Sequence, residues 1–231
     1  KIAAIRSFYK YLTSKAKLIS ENPMQDLDSP RLKKSLPRYL SLDESIQLLE
    51  AVDEPNQARD YCILTLFLNC GLRISELVSL NITDVREEQL RVLGKGNKER
   101  MIFLNEACRA ALDDWLEERS RQAAADLNAL FLTRTHTRMT KDAVHYMVKQ
   151  RLKKAGLDAS LYSSHKLRHT AATLMLQNGV DVRTLQEVLG HENLNTTQIY
   201  THVDNENLRS AAKANPLGRM KKKSTPIPPG K

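Results

Sequence analysis

A mostly helical α+β domain with a small antiparallel β-sheet is the fold class that this sequence predicts, on two observations. Apolar residues recur at three- and four-residue steps through most of the chain, the rhythm of amphipathic helices. That rhythm breaks between Gln89 and Leu104, where Leu90, Val92, Met101 and Phe103 alternate about Gly94-Lys95-Gly96-Asn97, as two short strands around a glycine turn do.

Ile2, Ile5, Phe8, Tyr9 and Leu12 form one amphipathic helix whose apolar face needs a partner. Starting at Lys1, without Met and already in helical rhythm, the chain is expected to be truncated, with residues 1–20 the remnant of an N-terminal domain. Residues 21–40 contain three prolines and the basic cluster Arg31, Lys33, Lys34 and Arg38, which predicts a basic interdomain linker. A second domain over residues 41–214 opens at Ser41-Leu42-Asp43-Glu44, a capping box, with Ile46, Leu48, Leu49 and Val52 inward. A helix over residues 59–70 should stop at Gly71, which tolerates the left-handed conformation and leaves Arg73 on a turn at a helix end.

The hairpin follows, with Lys95 at its tip. A long helix over residues 107–119 turns Ala111, Leu112 and Trp115 inward, residues 129–133 suit a third strand, and a helix over residues 140–155 ends at Gly156. Three short helices are expected over residues 164–178, 181–189 and 195–202, the first two closed by Gly179 and Gly190. Residues 204–214 place Leu208, Ala211 and Ala212 on one face, a narrow stripe suited to docking on a partner. Residues 215–231, rich in Lys and Pro, are expected to be a disordered basic tail.

With 231 residues, the chain suffices for one good-sized core or a domain plus a fragment of another. The net charge of +9 favours a polyanionic partner, because neutralising phosphates supplies most of a nucleic-acid binder's affinity. Cys62, Cys70 and Cys108 show no CxxC spacing, which suggests neither a disulfide framework nor a zinc knuckle and fits a reducing cytoplasm. No apolar run approaches the roughly 18 residues of a membrane span, and residues 1–6 lack a signal-peptide pattern.

Several residues can carry chemistry. His165, Arg168 and His169 lie at i, i+3 and i+4, so a helix projects them from nearly one face. That face is either solvated or an anion site; an Arg buried there needs an anion or a carboxylate. His191 follows Gly190 at a helix end, and Tyr200, one of seven tyrosines, comes nine residues later; taken alone it is as well explained by packing. Glu76, three residues after Arg73, either orients its guanidinium or is an early-helix acid favoured by the dipole. Lys149, Arg151, Lys153 and Lys154 either contact backbone phosphates or form a solvated helix face. His165, His169 and His191 fit a metallohydrolase poorly, since Arg168 repels a cation and Lys166 fills the glutamate position of HExxH.

Gly71-Leu72-Arg73-Ile74-Ser75-Glu76-Leu77, Gly94-Lys95-Gly96, His165-Lys166-Leu167-Arg168-His169, Leu189-Gly190-His191 and Tyr200 appear in this order. In these motifs the chain resembles the tyrosine recombinase, or phage-integrase, family, especially its Xer-like bacterial members. The resemblance covers residues 41–214, and residues 2–12 resemble the last helix of that family's core-binding domain. It implies a tyrosine-recombinase catalytic domain in which Arg73 and Arg168 clamp the scissile phosphate. Lys95 is then the hairpin lysine, His165 the histidine before the second arginine, His191 the later histidine and Tyr200 the nucleophile. His169 stays a helix or packing residue; Lys98 and Arg100 flank the hairpin, and Lys98 is a rival for the lysine's role.

The chemistry is consistent with those roles. A phenol has a pKa near 10, so ionising it at pH 7 costs about 4 kcal/mol and the nucleophile needs help. Attack on a phosphodiester builds charge on the nonbridging oxygens, which two guanidiniums stabilise without a metal ion. Lys95 suits protonation of the leaving deoxyribose oxygen, His165 the general base and His191 a hydrogen-bond donor to the phosphate.

The expected activity is site-specific recombination of double-stranded DNA, for integration and excision or for chromosome-dimer resolution. A 3′-phosphotyrosyl intermediate stores the bond energy, so no cofactor is required. The resemblance further implies a homo- or hetero-tetramer on two DNA sites, with the Leu208 helix docked on a neighbour. Two alternatives remain at this stage: a topoisomerase-like nicking and religation enzyme, and a non-catalytic DNA-binding module in which Tyr200 only packs.

Overall fold

The computed structural model describes residues 2–25, 27, 38–53, 56–94, 99–122, 126–190 and 205–221. The chain divides into two compact units, residues 1–37 and 38–231. The first contains α1 (Ile2–Ser14), in which the predicted apolar positions Ile5 and Phe8 are exposed. The second carries the core and everything that follows.

Its first buried side chain is Leu40, whose backbone N–H donates to Thr170 Oγ1 at 2.9 Å. The expected linker therefore gives way to the domain before residue 40. The predicted capping box starts α2 (Leu42–Glu50): Ser41 Oγ accepts from Glu44 N, and Glu44 Oε2 accepts from Ser41 N. Every residue of α3 (Gln57–Cys70) from Ala58 onward is buried, because a helix apolar on all sides is stable only when neighbours surround it. It packs against α5 (Glu106–Ser120) and α7 (Ser164–Gln177). Gly71, at φ +59°, ends it as expected, and α4 (Ile74–Ser79) begins just after Arg73.

β1 (Gln89–Leu93) and β2 (Glu99–Phe103) pair antiparallel with Leu90 opposite Ile102 and Val92 opposite Arg100. Directly opposed residues share a face, so the core face of β2 carries Ile102 and Arg100, not the expected pair Met101 and Phe103. Phe103 is buried on the other face, where the Arg209 guanidinium lies 5.3 Å from its ring.

The expected third strand at residues 129–133 does not form; only isolated bridges join Ala129 to Asn81 and Leu132 to Arg138. The segment is mostly buried, but three of its carbonyls are taken by side chains. Arg119 donates to Ala129 O, Trp115 Nε1 to Leu130 O and Arg59 Nη1 to Leu132 O. Buried backbone acceptors need partners, and these side chains supply them where a neighbouring strand is expected. Trp115 also stacks on Phe131, with ring centroids 6.1 Å apart.

α6 (Lys141–Lys154) starts at Thr140, which caps Ala143 N. Of its basic residues, Lys149 and Arg151 turn inward, while Lys141, Lys153 and Lys154 are exposed. Lys149 donates to Ala159 O and Tyr162 O, and Arg151 reaches Asp60 Oδ2 at 2.7 Å and Asp53 Oδ1 at 2.8 Å. Lys154 also meets Asp53. Asp60 in turn accepts from the buried Arg59, so these charges knit α3 to α6 and are engaged within the fold.

α7 and α8 (Val182–Leu189) lie where expected; the helix expected at residues 195–202 is outside the described residues. α9 (Asn205–Ala214) buries Ala211 among Met175, Val180, Leu185 and Leu189 of its own chain. The expected tail begins later than residue 215: Asn215 Nδ2 donates to Leu68 O and Leu217 is fully buried in the core. The apolar Leu217, after the helix-stopping Pro216, anchors a short 3₁₀ turn, Pro216–Arg219. Cys62, Cys70 and Cys108 are buried free thiols. Among the described residues no helix is long and apolar enough to cross a membrane.

The Arg59–Asp60–Arg151 network sets the first expectation. Asp60→Ala leaves two poorly exposed guanidiniums facing each other and should lower stability in urea unfolding by about 3–5 kcal/mol. Glu117→Ala, which breaks the exposed i,i+4 pair with Arg121, should change it by less than about 0.5 kcal/mol.

Candidate active site

Arg73 ends the turn that Gly71 begins. An added Cβ at Gly71 would lie 2.7 Å from Leu189 Cδ2, and the φ of +59° there strains any other residue, so glycine favours the close approach of the end of α8 to the end of α3. Arg73 has an extended backbone, φ −74° and ψ 147°, immediately before α4. The Glu76 carboxylate, in the first turn of α4, accepts from Arg73 N at 2.8 Å and from Arg73 Nη1 at 2.8 Å. Both readings of Glu76 thus hold at once: it caps the helix start and orients the guanidinium.

A second arginine reaches the same carboxylate. Arg100 donates from Nη1 to Oε1 at 2.8 Å and from Nη2 to Oε2 at 3.0 Å. Burial pushes the Glu76 carboxyl up; hydrogen bonds and charge from Arg100, then from Arg73, outweigh it and hold it below the usual carboxylate range. The side chain of Glu76 is only 2 % exposed.

Arg168 comes to this place from α7. It is 9 % exposed and donates to Gly71 O and, at 2.7 Å, to Leu189 O. Arg73 donates to the same Leu189 O at 3.4 Å and to Gly190 O at 3.0 Å. These are carbonyls of the last turn of α8, which lack helical partners and carry the negative end of the dipole. They hold two cations side by side, which would otherwise repel. Burial first, then the charges of Arg73 and Arg100, push Arg168 down to about 10.

His165 sits at the start of α7, exposed, one turn before Arg168; His169 is exposed as well. The structure therefore brings together Arg73 and Arg168, with His165 at the start of the same helix. Lys95, His191 and Tyr200 lie outside the described residues. Arg100 and the Leu189 and Gly190 carbonyls are the parts that sequence reasoning missed. The sequence carries no signal for Arg100: only the observed register gives it an inward position, two residues before Ile102, where an unpaired charge is costly. Among the described residues, no cluster of three His, Cys, Asp or Glu side chains is placed to hold a metal ion.

Three guanidiniums around one carboxylate leave a local charge of +2 (three minus one) in a place only partly open to water. Such a site suits an anion with several oxygens, and bidentate guanidiniums suit phosphate.

Comparison with known proteins agrees. The profile described as the phage integrase family matches residues 38–207. Tyrosine recombinase XerC of Caldanaerobacter subterraneus subsp. tengcongensis is 55 % identical over 220 residues, covering 95 % of this chain and 62 % of the relative. The chain thus spans about three fifths of that relative's length. Among solved structures, XerA recombinase superposes with a TM-score of 0.65 at 31 % identity, covering 92 % of this chain and 82 % of that one. XerH site-specific recombinase, in a pre-cleavage complex with its difH substrate, gives 0.61 at 30 % identity, covering 79 % and 56 %.

A bound anion relieves the repulsion among the three guanidiniums, so it should stabilise the fold. Inorganic phosphate at about ten times its dissociation constant should add roughly 1.4 kcal/mol by mass action, read as a higher midpoint of thermal unfolding. Arg168→Gln serves as the comparison, since general salt effects act on both proteins. An equal shift in the two proteins would place the anion elsewhere.

Proposed function

The chain belongs to the phage integrase family, and on that premise we propose that it is a site-specific DNA recombinase working through a 3′-phosphotyrosyl intermediate. The observation that carries the reading is the convergence of Arg73 and Arg168, 95 positions apart (168 − 73), on the carbonyls that end α8. The likeness to the XerH site-specific recombinase, seen bound to its difH substrate, supports double-stranded DNA as the partner.

In this reading Tyr200 attacks the scissile phosphorus as its proton passes to a base, His165. The phosphorus–oxygen bond to the 5′-carbon side breaks, Lys95 gives that oxygen a proton, and a 5′-hydroxyl leaves. Arg73 and Arg168 bear on the two nonbridging oxygens, with His191 as a further donor; the charge they stabilise is largest in the transition state. A partner strand's 5′-hydroxyl then attacks the phosphotyrosine, restoring the diester without an outside energy source. Four protomers on two DNA sites, with the Leu208 helix docked on a neighbour, complete the reading. Leu208 is only partly buried within its own chain and is the residue of α9 that such a contact would cover, whereas Ala211 and Arg209 hold α9 to its own domain.

Trapping tests this. A library of nicked duplexes with randomised cores, in which the short 5′-terminal fragment diffuses away after cleavage, should yield a covalent protein–DNA adduct on denaturing gels. Tyr200→Phe should form none while still shifting the same DNA. Arg168→Lys, which keeps charge but loses the fork, should slow adduct formation by about 10²–10³-fold. The rate should persist in EDTA, since the arginines take the role of a metal ion. DNA bound without adduct by the unaltered protein would leave a binding module instead, and adduct without exchange between two labelled duplexes would leave a nicking and religation enzyme.

A further inference from the structure

Arg100 is the part of the cluster that the proposed mechanism leaves without a task. It rises from β2 on the same face as Ile102, opposite Val92, and its side chain is 16 % exposed, less than the 34 % of Arg73. Both of its terminal nitrogens go to Glu76, one to each carboxylate oxygen. Arg73 gives Glu76 a single side-chain hydrogen bond and directs its other nitrogen to Gly190 O. The stronger, two-pronged claim on the carboxylate therefore belongs to Arg100.

Charge arithmetic gives this geometry a consequence. Without Arg100, two guanidiniums face one carboxylate and the local charge falls from +2 to +1. Glu76 would then pair with Arg73 alone, and in a site this buried that ion pair would cancel much of the field Arg73 exerts on an anion. With Arg100 present, Glu76 orients Arg73 without neutralising it. The fit at Gly190 holds Arg100 in place: an added Cβ there would lie 3.0 Å from its Cζ, Nε and Nη1, so the guanidinium is closed in between Glu76 and the end of α8.

We propose that Arg100 is a positioning residue that neutralises Glu76, so that Arg73 meets the scissile phosphate with its charge intact. Arg100 acts through Glu76 and touches no substrate. The inference rests on the recombinase reading, and its test keeps the two apart: if the unaltered protein forms no adduct with any nicked duplex of the library, that reading falls and takes this one with it.

Given an adduct-forming duplex, the decisive measurement is the first-order rate of adduct formation at saturating DNA. It is compared for the unaltered protein, Arg100→Met, Glu76→Gln and the double variant, with thermal unfolding recorded for each. Arg100→Met should slow the rate by about tenfold or more while the half-saturating DNA concentration moves less than about threefold, as expected when an interaction felt mainly in the transition state is lost. In the Glu76→Gln background, where no carboxylate needs neutralising, the same substitution should change the rate by less than about threefold. A merely structural role predicts equal losses in both backgrounds, and that result overturns the proposal. So does a loss confined to DNA affinity with the salt dependence reduced by about one phosphate contact, which would make Arg100 a direct DNA ligand. If Arg100→Met does not fold, Arg100→Gln carries the same two-background comparison, since it removes the charge but keeps a hydrogen-bond donor for Glu76.

Discussion

A carboxylate with 2 % side-chain exposure sits between two arginines from different parts of the chain, and the shape of the site follows from it. An unpaired carboxylate at that depth costs several kcal/mol, so Glu76 cannot be parted from both partners while the domain stays folded. Its hydrogen bond from Arg73 N fixes the start of α4, and its fork with Arg100 holds the turn end of the β1–β2 pair. That end of the strands and the Arg73 turn therefore keep one geometry relative to each other. In the proposed reaction that matters because Lys95 follows β1 closely in sequence, and its proton would have to arrive where Arg73 would meet the phosphate.

The other half of the site is fixed from below. α3 is buried along nearly its whole length and ends at Gly71, whose carbonyl accepts from Arg168. The absence of a side chain at Gly71 admits Leu189, and with it the carbonyls that end α8. One close approach between two helix ends thus supplies three acceptors for two guanidiniums. The packing that buries α3 and the hydrogen bonding that holds the arginines have the same origin, so damage to one is felt in the other.

Much of this was legible in the sequence, and the exceptions have physical causes. The capping box at Ser41, the stop at Gly71, the hairpin and the helices around it follow from local patterns that tertiary contacts reinforce. The strand expected at residues 129–133 failed because Arg59, Arg119 and Trp115 satisfy its carbonyls, and no local pattern announces side chains arriving from 70 residues away, as Arg59 does from Leu132. The register of β2 was misjudged by one residue because Ile102 and Phe103 are both buried, each on its own face, and alternation cannot decide between two covered faces. Arg151 and Lys149 were candidates for phosphate contacts, yet a sequence shows charge without showing Asp53 and Asp60 waiting beside it. At the site, the motifs pointed to Arg73 and Arg168, which the fold brings together, and to His165 at the start of the same helix as Arg168. Arg100 was passed over because nothing in a linear pattern distinguishes a charge that balances Glu76 from one that faces water.

Keeping three guanidiniums together works against stability, and Arg168 is pushed down to about 10 first by its burial and then by the charges of Arg73 and Arg100. Folded proteins retain such strain where function uses it. The carbonyls of Leu189 and Gly190 offset part of the repulsion, but they bear partial charges and are fixed in place. A phosphodiester brings one full negative charge, and a phosphodiester under attack by a phenolate brings two. At about 4 Å and an effective dielectric near 20, each added pair of opposite charges is worth up to about 4 kcal/mol. Even a third of that, roughly 1.4 kcal/mol, is tenfold in rate. A site with a charge of +2 therefore gains more from the doubly charged transition state than from the singly charged ground state, and it does so with groups already in position. The mutual repulsion of the guanidiniums and, in the proposed reaction, the preference for the transition state are two consequences of one arrangement, in which Glu76 orients Arg73 while Arg100 balances its charge.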